Sequence, residues 1–460
     1  MRRYIVAAAA AAVAVVVVGW AAGCGFTGEG TFDVTTAPEA GVDALGPSVV
    51  EGGEVGDSAV APDTSTPIPD AATDSALPPP STVVLALGGA VVAPTGNAQQ
   101  THLVYAVHSA RWWLFTIDDD TTSLRTYSSA DFVTWTANTP LVLLHTHANE
   151  GANFSVAYAD IGGADVVHIG FSHRKADDDL RHLHTRAVIS GVAIAYGAQD
   201  EIEKVGDPLL LGADGCSTVI TQDGHVMDLT GWAPYGGLPN STGNACSYSG
   251  LNVELGTGWT PGFGTRKDIV AETRIINARI GLDMGGAEVV SLWEGAEVEP
   301  NPTSVQWARW NGTTWSTAGA VFAAAAPTAA NDWSATRLSS GEVHAVRRTI
   351  AGAYQHRKLV GTTWSNGQTI PAMPGIANAG VVLLSLGPRM LLATIGADVN
   401  ASVNVTTWNG TAWAAWSTVE GSLATRGALA GHASAAGGGS LIWSEQAVGA
   451  TKVMGRRVIF

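Results

Sequence analysis

A six-residue segment in the C-terminal half of the chain decides its fold class. Trp310-Asn311-Gly312-Thr313-Thr314-Trp315 recurs as Trp408-Asn409-Gly410-Thr411-Ala412-Trp413, and a shorter copy, Val360-Gly361-Thr362-Thr363-Trp364, lies between them. The second tryptophan of each copy stands at position 315, 364 or 413, so two intervals of 49 residues separate them. A fixed period of this size is typical of repeated supersecondary units.

Each unit has the pattern of four short antiparallel strands. In the middle unit these are Trp333–Leu338, Glu342–Thr349, Tyr354–Leu359 and a fourth strand that carries Trp364. The Asn-Gly pairs in the flanking units predict two-residue hairpin turns, in which both central residues have positive φ. Four antiparallel strands in about fifty residues are typical of a propeller blade.

Seven segments match the second strand of such a unit, which predicts seven blades, with six as the alternative. Because a propeller needs ring closure to avoid an exposed sheet edge, Ser81–Leu87 is expected to complete the last unit, which has no fourth strand before Phe460. The predicted fold is all-β: a seven-bladed β-propeller of four-stranded antiparallel blades, closed by an N-terminal strand. The seven segments are Trp112–Ile117, Val166–Phe171, His225–Leu229, Glu288–Leu292, Glu342–Val346, Met390–Thr394 and Ser440–Trp443.

The N-terminus has the pattern of an export signal. Met1-Arg2-Arg3 is followed by an apolar run, Tyr4–Trp20, and by small residues directly before Cys24. This pattern predicts a signal peptide over residues 1–23, with an uncleaved membrane anchor or plain secretion as the alternatives. Ala21-Ala22-Gly23-Cys24 resembles the lipobox of bacterial lipoproteins. The resemblance implies lipidation of Cys24 and, with Gly25 next, attachment to the outer membrane or cell surface of a Gram-negative bacterium.

The acidic charge of the chain is concentrated in one segment. The formal net charge is −16, and residues 25–80 contain ten Asp and Glu residues and no Lys or Arg. That segment is also rich in Pro, Ala, Ser and Thr, so residues 24–80 are predicted to be a disordered tether, with the propeller over 81–460. The acidic balance argues against nucleic acid as a partner, since phosphate binding needs a basic surface.

Two more cysteines, Cys216 and Cys246, fall within one repeat unit. In an oxidising compartment they predict a disulfide that closes a loop of about thirty residues. Two free thiols are the alternative.

The segment from Trp408 to Trp416 resembles the repeat of bacterial seven-bladed propeller lectins, Trp-X-Gly-X-X-Trp-X-X-Trp. This resemblance implies small sugars bound in pockets between blades. Trp310, Trp408 and Trp416 lie nearest the turns and are the expected contacts with a sugar, whereas the tryptophans at 315, 364 and 413 are expected to pack in the core.

A second resemblance concerns the sialidase-like (BNR-like) and furanosidase-type propellers. Tyr127-Ser128-Ser129-Ala130-Asp131-Phe132-Val133-Thr134-Trp135 is similar to an edge motif that is structural in that group. A glycoside hydrolase needs two carboxylates at a defined separation, and no motif in the chain fixes such a pair. The acids considered for that role are Asp160, Asp165, Asp228, Asp283 and Glu294.

The sequence therefore predicts a binding module more than an enzyme, with no catalytic residue and no cofactor assigned. Carbohydrate is the leading ligand class and protein the second. A sialidase-like or other glycoside hydrolase, or a scaffold without a small-molecule site, are the alternatives. His145, His147 and Glu150 are weak candidates for a metal site, because alternation puts both histidines on one face of a strand.

Overall fold

A computed structural model describes part of the unit Asp70–Phe460, and within it every regular element is a β-strand. No helix in the described part of the chain is long and apolar enough to cross a bilayer. Cys24, the predicted signal peptide and the predicted tether lie outside the described residues, as do His145, His147 and Glu150. The described residues are 82–88, 100–117, 122–144, 153–174, 180–201, 210–234, 243–249, 267–272, 275–296, 303–325, 332–349, 351–373, 377–398, 400–433, 439–447 and 450–458.

These residues form seven antiparallel sheets, numbered here in chain order. Sheet 1 contains β2 (Leu103–Ala106), β3 (Arg111–Ile117), β4 (Ser123–Ser129), β5 (Thr136–Ala137) and β6 (Leu141–Val142). Sheet 2 contains β7 (Asn153–Ile161), β8 (Ala164–Arg174), β9 (Leu180–Ser190) and β10 (Ala193–Glu201). Sheet 3 contains β11 (Leu210–Ile220), β12 (Val226–Pro234), β13 (Gly243–Ser249) and β14 (Lys267–Glu272).

The remaining sheets follow the same order. Sheet 4 contains β15 (Ile275–Gly285), β16 (Glu288–Ala296), β17 (Thr303–Trp310) and β18 (Gly319–Ala325). Sheet 5 contains β19 (Trp333–Arg337), β20 (Val343–Arg348), β21 (Tyr354–Val360) and β22 (Thr363–Asn366). Sheet 6 contains β23 (Ala377–Leu386), β24 (Arg389–Gly396), β25 (Val403–Trp408) and β26 (Ser417–Glu420). Sheet 7 contains β27 (Thr425–Ala433), β28 (Gly439–Ala447), β29 (Ala450–Val458) and β1 (Val83–Gly88).

The first strand of each sheet contacts the first strand of the next. These contacts run from β2 through β7, β11, β15, β19 and β23 to β27, and β27 also contacts β2. At the other edge of sheet 7, β1 pairs with β29, so that Val83 lies opposite Gly455 and Gly88 opposite Thr451.

The hydrophobic core is divided among the seams between neighbouring sheets. One cluster joins sheets 1 and 2 through Phe115, Phe154 and Phe171, and another joins sheets 6 and 7 through Leu391 and Trp443. Because both faces of a sheet are covered by its neighbours, the strands are apolar on both faces, as in β24, where seven of eight residues are buried.

The predicted all-β class is confirmed, as are four-stranded antiparallel units in six of the seven sheets that the described residues form; sheet 1 has β6 as a short fifth strand. Each of the seven expected second strands overlaps a strand of the structure, from β3 in sheet 1 to β28 in sheet 7. The predicted strand bounds in the fifth unit also agree with the structure. There β19, β20 and β21 each begin and end within one residue of the predicted positions.

The predicted two-residue Asn-Gly turns are wrong. Trp310 pairs with Trp315 and Trp408 with Trp413, so each turn contains four residues. In the Asn-Gly pair only the glycine has a positive φ, which is 95° at Gly312. The Asn side chain takes over part of the turn: Oδ1 of Asn409 accepts hydrogen bonds from the backbone N–H groups of Thr411 and Ala412, both at 2.9 Å.

Candidate functional site

Four half-buried tryptophans follow the third strand of their sheets, and each packs at the seam with the preceding sheet. Trp364 of sheet 5 meets Trp307 of sheet 4 edge-on, with ring centroids 6.0 Å apart. Trp416 of sheet 6 lies 5.3 Å from the ring of Tyr354 in sheet 5. The four are Trp135, Trp315, Trp364 and Trp416.

Two of these tryptophans are held in one orientation by a hydrogen bond. The indole Nε1 of Trp416 donates to the carbonyl oxygen of Pro371 at 2.8 Å, and that of Trp135 donates to the carbonyl oxygen of Phe132 at 3.1 Å. A fixed aromatic ring that keeps part of its surface exposed is a platform on which an apolar ligand face can stack.

The expected sugar contacts Trp310 and Trp408 are buried, with 8% and 6% of their surface exposed. Trp408 lies 5.1 Å from the ring of His344, and Trp310 packs against Trp315 at 5.5 Å. Protein therefore covers both rings, and of the three expected contacts Trp416 is the one with exposed surface. Among the tryptophans expected in the core, Trp413 is buried, and its Nε1 donates to Nδ1 of His356 at 3.3 Å.

The edge motif of sheet 1 has the structural role expected of it. Oδ1 of Asp131 accepts hydrogen bonds from the N–H groups of Val133 at 2.8 Å and Thr134 at 2.7 Å. Asp131 thus occupies the place that Asn409 has in sheet 6. Phe132 takes the positive φ of the glycine, 63°, and its side chain is buried against Trp112.

A cavity of about 220 Å³ lies among the first strands of the sheets. Residues of β11, β15, β19, β23 and β27 line it, together with the two residues Gln100 and Thr101 that precede β2. Its wall alternates hydroxyl groups with aliphatic side chains such as Ile280 and Leu384, and it includes the imidazole of His432. Sequence reasoning did not find this cavity, because its residues are separated by up to 333 positions and share no motif.

The hydroxyl groups of the wall also join neighbouring first strands. Oγ of Ser217 in β11 accepts the N–H of Gly281 in β15 at 2.9 Å. Oγ of Ser334 in β19 accepts the N–H of Leu383 in β23 at 3.1 Å. Each serine hydroxyl keeps its own proton for a further acceptor, because it acts as an acceptor in these bonds.

Behind the cavity wall, the seam between sheets 2 and 3 is polar. The hydroxyl of Thr218 donates to Oδ1 of Asp228 at 2.5 Å, and Nε2 of His182 lies 3.4 Å from Oδ2 of the same carboxylate. Burial favours the neutral acid, but the nearby His184 and His182 and the Thr218 hydroxyl outweigh it and lower the pKa of Asp228. The buried carboxylate is therefore ionised and paired.

Two sheets contain the same pair of buried histidines on their second and third strands. Nδ1 of His168 and Nε2 of His184 lie 3.0 Å apart in sheet 2, and the same atoms of His344 and His356 lie 2.9 Å apart in sheet 5. In both pairs the second histidine lies two residues before the cross-strand partner of the first. Burial lowers the pKa of His344 and His356 to about 4, so these rings are neutral at pH 7.

The acids considered for hydrolysis are dispersed. Asp165, Asp228 and Glu294 are buried in separate sheets, whereas Asp160 and Asp283 are near turns and interact with His108 and Arg337. Among the described residues no group of three His, Cys, Asp or Glu side chains is arranged to hold a metal ion.

The strand register bears on the predicted disulfide. Cys216 in β11 and Cys246 in β13 both lie opposite Thr230 of β12, one on each side. With neighbouring strands about 4.8 Å apart, their Cα atoms are separated by about 10 Å, whereas a disulfide joins Cα atoms about 4.4–6.8 Å apart. The disulfide stays a prediction. To form it, β11 and β13 would have to come closer together than they do with β12 between them.

Comparisons with known proteins give a fold and no family. No protein-family model matches the chain, and no curated protein matches it. The lectin BP39L from Burkholderia pseudomallei is similar in structure, with a TM-score of 0.51 and 13% identity over 77% of this chain and 95% of the lectin. An ulvan lyase of polysaccharide lyase family PL25 has a TM-score of 0.52 and 10% identity over 81% of this chain and 95% of the lyase. At these identities the likeness shows a propeller-type fold and nothing about ligands.

Proposed function

We propose that this protein is a lipid-anchored, seven-bladed β-propeller that binds carbohydrate outside the cytoplasm. The half-buried tryptophan platform at the seam between sheets 5 and 6 carries the proposal. Trp416 is fixed by its bond to Pro371, rests on Tyr354 and keeps part of its ring exposed. Sugar rings have apolar C–H faces, and rigid aromatic rings present such faces with a large surface at little entropic cost.

The ring architecture is supported by three observations. Seven sheets are formed by the described residues, their first strands touch in cyclic order, and β1 supplies the fourth strand of sheet 7. With β1 added, β29 is paired on both sides and sheet 7 has four strands like its neighbours. Six blades, the alternative from the sequence, would leave one of these sheets unexplained.

The anchor is supported by the sequence alone. A basic start, an apolar run and small residues before Cys24 predict cleavage and lipidation, and residues 24–80 then tether the propeller to the outer membrane or cell surface. Labelling cells with a radioactive or alkyne fatty acid tests this proposal. We expect label on the wild-type chain and none on Cys24→Ala; label on the variant would contradict it.

A glycan array tests the ligand class. The full chain, produced with its own leader and purified, is screened with and without a chelator. We expect a defined set of bound glycans that is insensitive to the chelator, and a loss of binding of about tenfold or more in Trp416→Ala. The comparison variant is Trp364→Ala, which removes a half-buried tryptophan at the preceding seam, between sheets 4 and 5.

The outcomes separate the alternatives. Glycan binding that is unchanged in both single variants and in the double variant would exclude Trp416 and Trp364 as the binding site. An empty array with correctly folded protein would contradict carbohydrate binding and favour a protein ligand or a scaffold.

A further inference from the structure

The cavity among the first strands is a second site whose chemistry differs from that of the aromatic platforms. Its volume, about 220 Å³, is below the range of about 300–1,000 Å³ found for pockets that take drug-sized ligands. Such a space suits a single sugar ring or a polyol of similar size.

The wall selects for an uncharged ligand. Its polar groups are hydroxyls, the amide of Gln100 and the imidazole of His432. His432 is half-buried in the cavity wall, and burial lowers its pKa to about 4, so that the ring is neutral at pH 7. The carboxylate of Asp228 lies behind Thr218, where it is paired with that hydroxyl and with His182. An ion in the cavity would exchange part of its hydration shell for neutral groups, with no opposite charge in the wall to compensate.

The polar groups are also arranged for hydroxyl ligands. Ser217 and Ser334 accept a backbone N–H each and retain a proton to donate. Neutral histidine offers one donor and one acceptor. Between these groups, the side chains of Leu282 and Val382 supply apolar surface. A polyhydroxylated ring, with hydroxyls at its rim and C–H groups on its faces, matches this alternation.

We propose that the cavity among the first strands binds a small neutral polyhydroxylated compound of the monosaccharide or cyclitol class. This site is independent of the tryptophan platforms and does not need the proposed glycan binding to be correct. The ligand contacts hydroxyls from several sheets at once, so that its binding joins β11, β19 and β23 around the cavity.

Isothermal titration calorimetry of the full chain tests the proposal with named probes. D-glucose, D-galactose, L-fucose, L-rhamnose and myo-inositol are titrated one by one, with D-glucuronate as the anionic counterpart of glucose. We expect saturable binding of at least one neutral probe and no binding of glucuronate. No saturable binding of any neutral probe to folded protein would overturn the proposal, as would glucuronate binding at least as tightly as glucose.

Three substitutions locate the bound probe. Ser385→Phe fills the cavity with an aromatic ring and should abolish binding. Thr336→Val keeps the shape of the side chain but removes a hydroxyl, and should weaken binding about fivefold, which corresponds to one hydrogen bond of about 1 kcal/mol. Val192→Phe, at the exposed tip of the hairpin between β9 and β10, adds the same ring outside the cavity and should change nothing.

The result is distinguishable from the test of the platforms. Trp416→Ala should leave the binding of the monosaccharide unchanged. If Trp416→Ala abolishes monosaccharide binding and Ser385→Phe does not, the ligand binds at the tryptophan platform. In that case the cavity proposal is wrong and the proposed function stands. Thr336→Val is the informative variant if Ser385→Phe does not fold.

Discussion

At the scale of single residues, a buried carboxylate of sheet 2 holds the turn between β2 and β3 of sheet 1. Asp165 of β8 is 1% exposed and binds the turn of sheet 1. Its carboxylate accepts hydrogen bonds from the N–H groups of His108 at 3.0 Å and Ser109 at 2.7 Å, from the Ser109 hydroxyl at 2.5 Å and from the Tyr158 hydroxyl at 2.7 Å. One acid considered for catalysis is therefore a structural link between sheets 1 and 2.

Asp165→Asn should destabilise the protein by about 1–3 kcal/mol, because the amide nitrogen cannot accept the hydrogen bonds that one carboxylate oxygen receives. Denaturant unfolding measures the loss. Asp160→Asn is the control: its carboxylate is 50% exposed and pairs with His108, so we expect a change below about 1 kcal/mol. Equal losses in the two variants would contradict the role of Asp165.

At the scale of elements, the turns after the third strands use one device with different residues. Asn311, Asn409 and Asp131 each accept two backbone N–H groups from the residues two and three positions ahead. The side chain oxygen thus fixes the turn, and the residue after it takes positive φ, as glycine or as the buried Phe132.

Asn409→Ala should cost about 1 kcal/mol, because two N–H groups and the Thr411 hydroxyl lose their common acceptor. Asn409→Asp should be tolerated, since a carboxylate makes the same bonds at Asp131. Thermal unfolding of the two variants compares them, and an Asp variant as unstable as the Ala variant would show that the acceptor oxygen is not what matters.

The close packing of sheets 2 and 3 depends on a glycine. A Cβ atom on Gly170 would overlap the Thr218 hydroxyl and lie 2.8 Å from Oδ1 of Asp228. Gly170→Ala should therefore destabilise the fold by about 2 kcal/mol or more, because both neighbours are buried and hydrogen-bonded. Gly427→Ala, where the nearest atom is Oγ of Ser444 at 3.6 Å, should change stability by less than about 1 kcal/mol. Denaturant unfolding of the two variants checks this prediction, since a shift of the midpoint at an unchanged m-value measures the change in stability. Equal shifts in the two variants would contradict it.

At the scale of the whole molecule, buried neutral histidines make stability depend on pH. Burial lowers the pKa of His102 to about 3 and the pKa values of His344, His356 and the half-buried His432 to about 4. The unfolded chain binds these protons at its ordinary pKa of about 6.5. Stability is therefore fully present above pH 6.5 and falls as the pH drops towards 4, by several kcal/mol in total.

Unfolding curves between pH 4 and 8 should show this loss. The charged groups near His344 are the carboxylate of Glu342, 3.9 Å from Nε2, and the ammonium group of Lys358. His356 lies against His344 and the indole of Trp413. A His356→Gln variant should have a shallower dependence below pH 6.5, because it removes one buried titrating ring. If stability in this variant depended on pH as steeply as in the wild type, the His344–His356 pair would be excluded as a source of the pH dependence.

The N-terminal strand should be required for a stable molecule. β1 pairs with β29 over Val83–Gly88, and without it β29 becomes an unpaired edge. A chain that begins at residue 89 should melt several degrees lower and aggregate, whereas a chain that begins at residue 81 should behave as the longer protein does. Calorimetry and light scattering compare the two, and identical behaviour would contradict closure of sheet 7 by β1.

The sequence by itself determined the repeat, the all-β class and the place of the second strands. A hairpin is a local structure, and its period, glycines and tryptophans are readable along the chain. The four-residue turns escaped prediction because Asn311 and Asn409 hydrogen-bond the turn with their side chains, which the Asn-Gly pair does not reveal.

Only the tertiary structure decided which tryptophans face solvent and where the cavity lies. Trp408 and Trp416 stand eight positions apart near the same turn, yet the neighbouring sheet buries the first and leaves part of the second exposed. Both faces of each sheet are covered by other sheets, so the alternation of side chains along a strand cannot tell a ligand-facing residue from a packed one. The cavity depends on contacts between strands far apart in the chain, and no local pattern records which strands will meet.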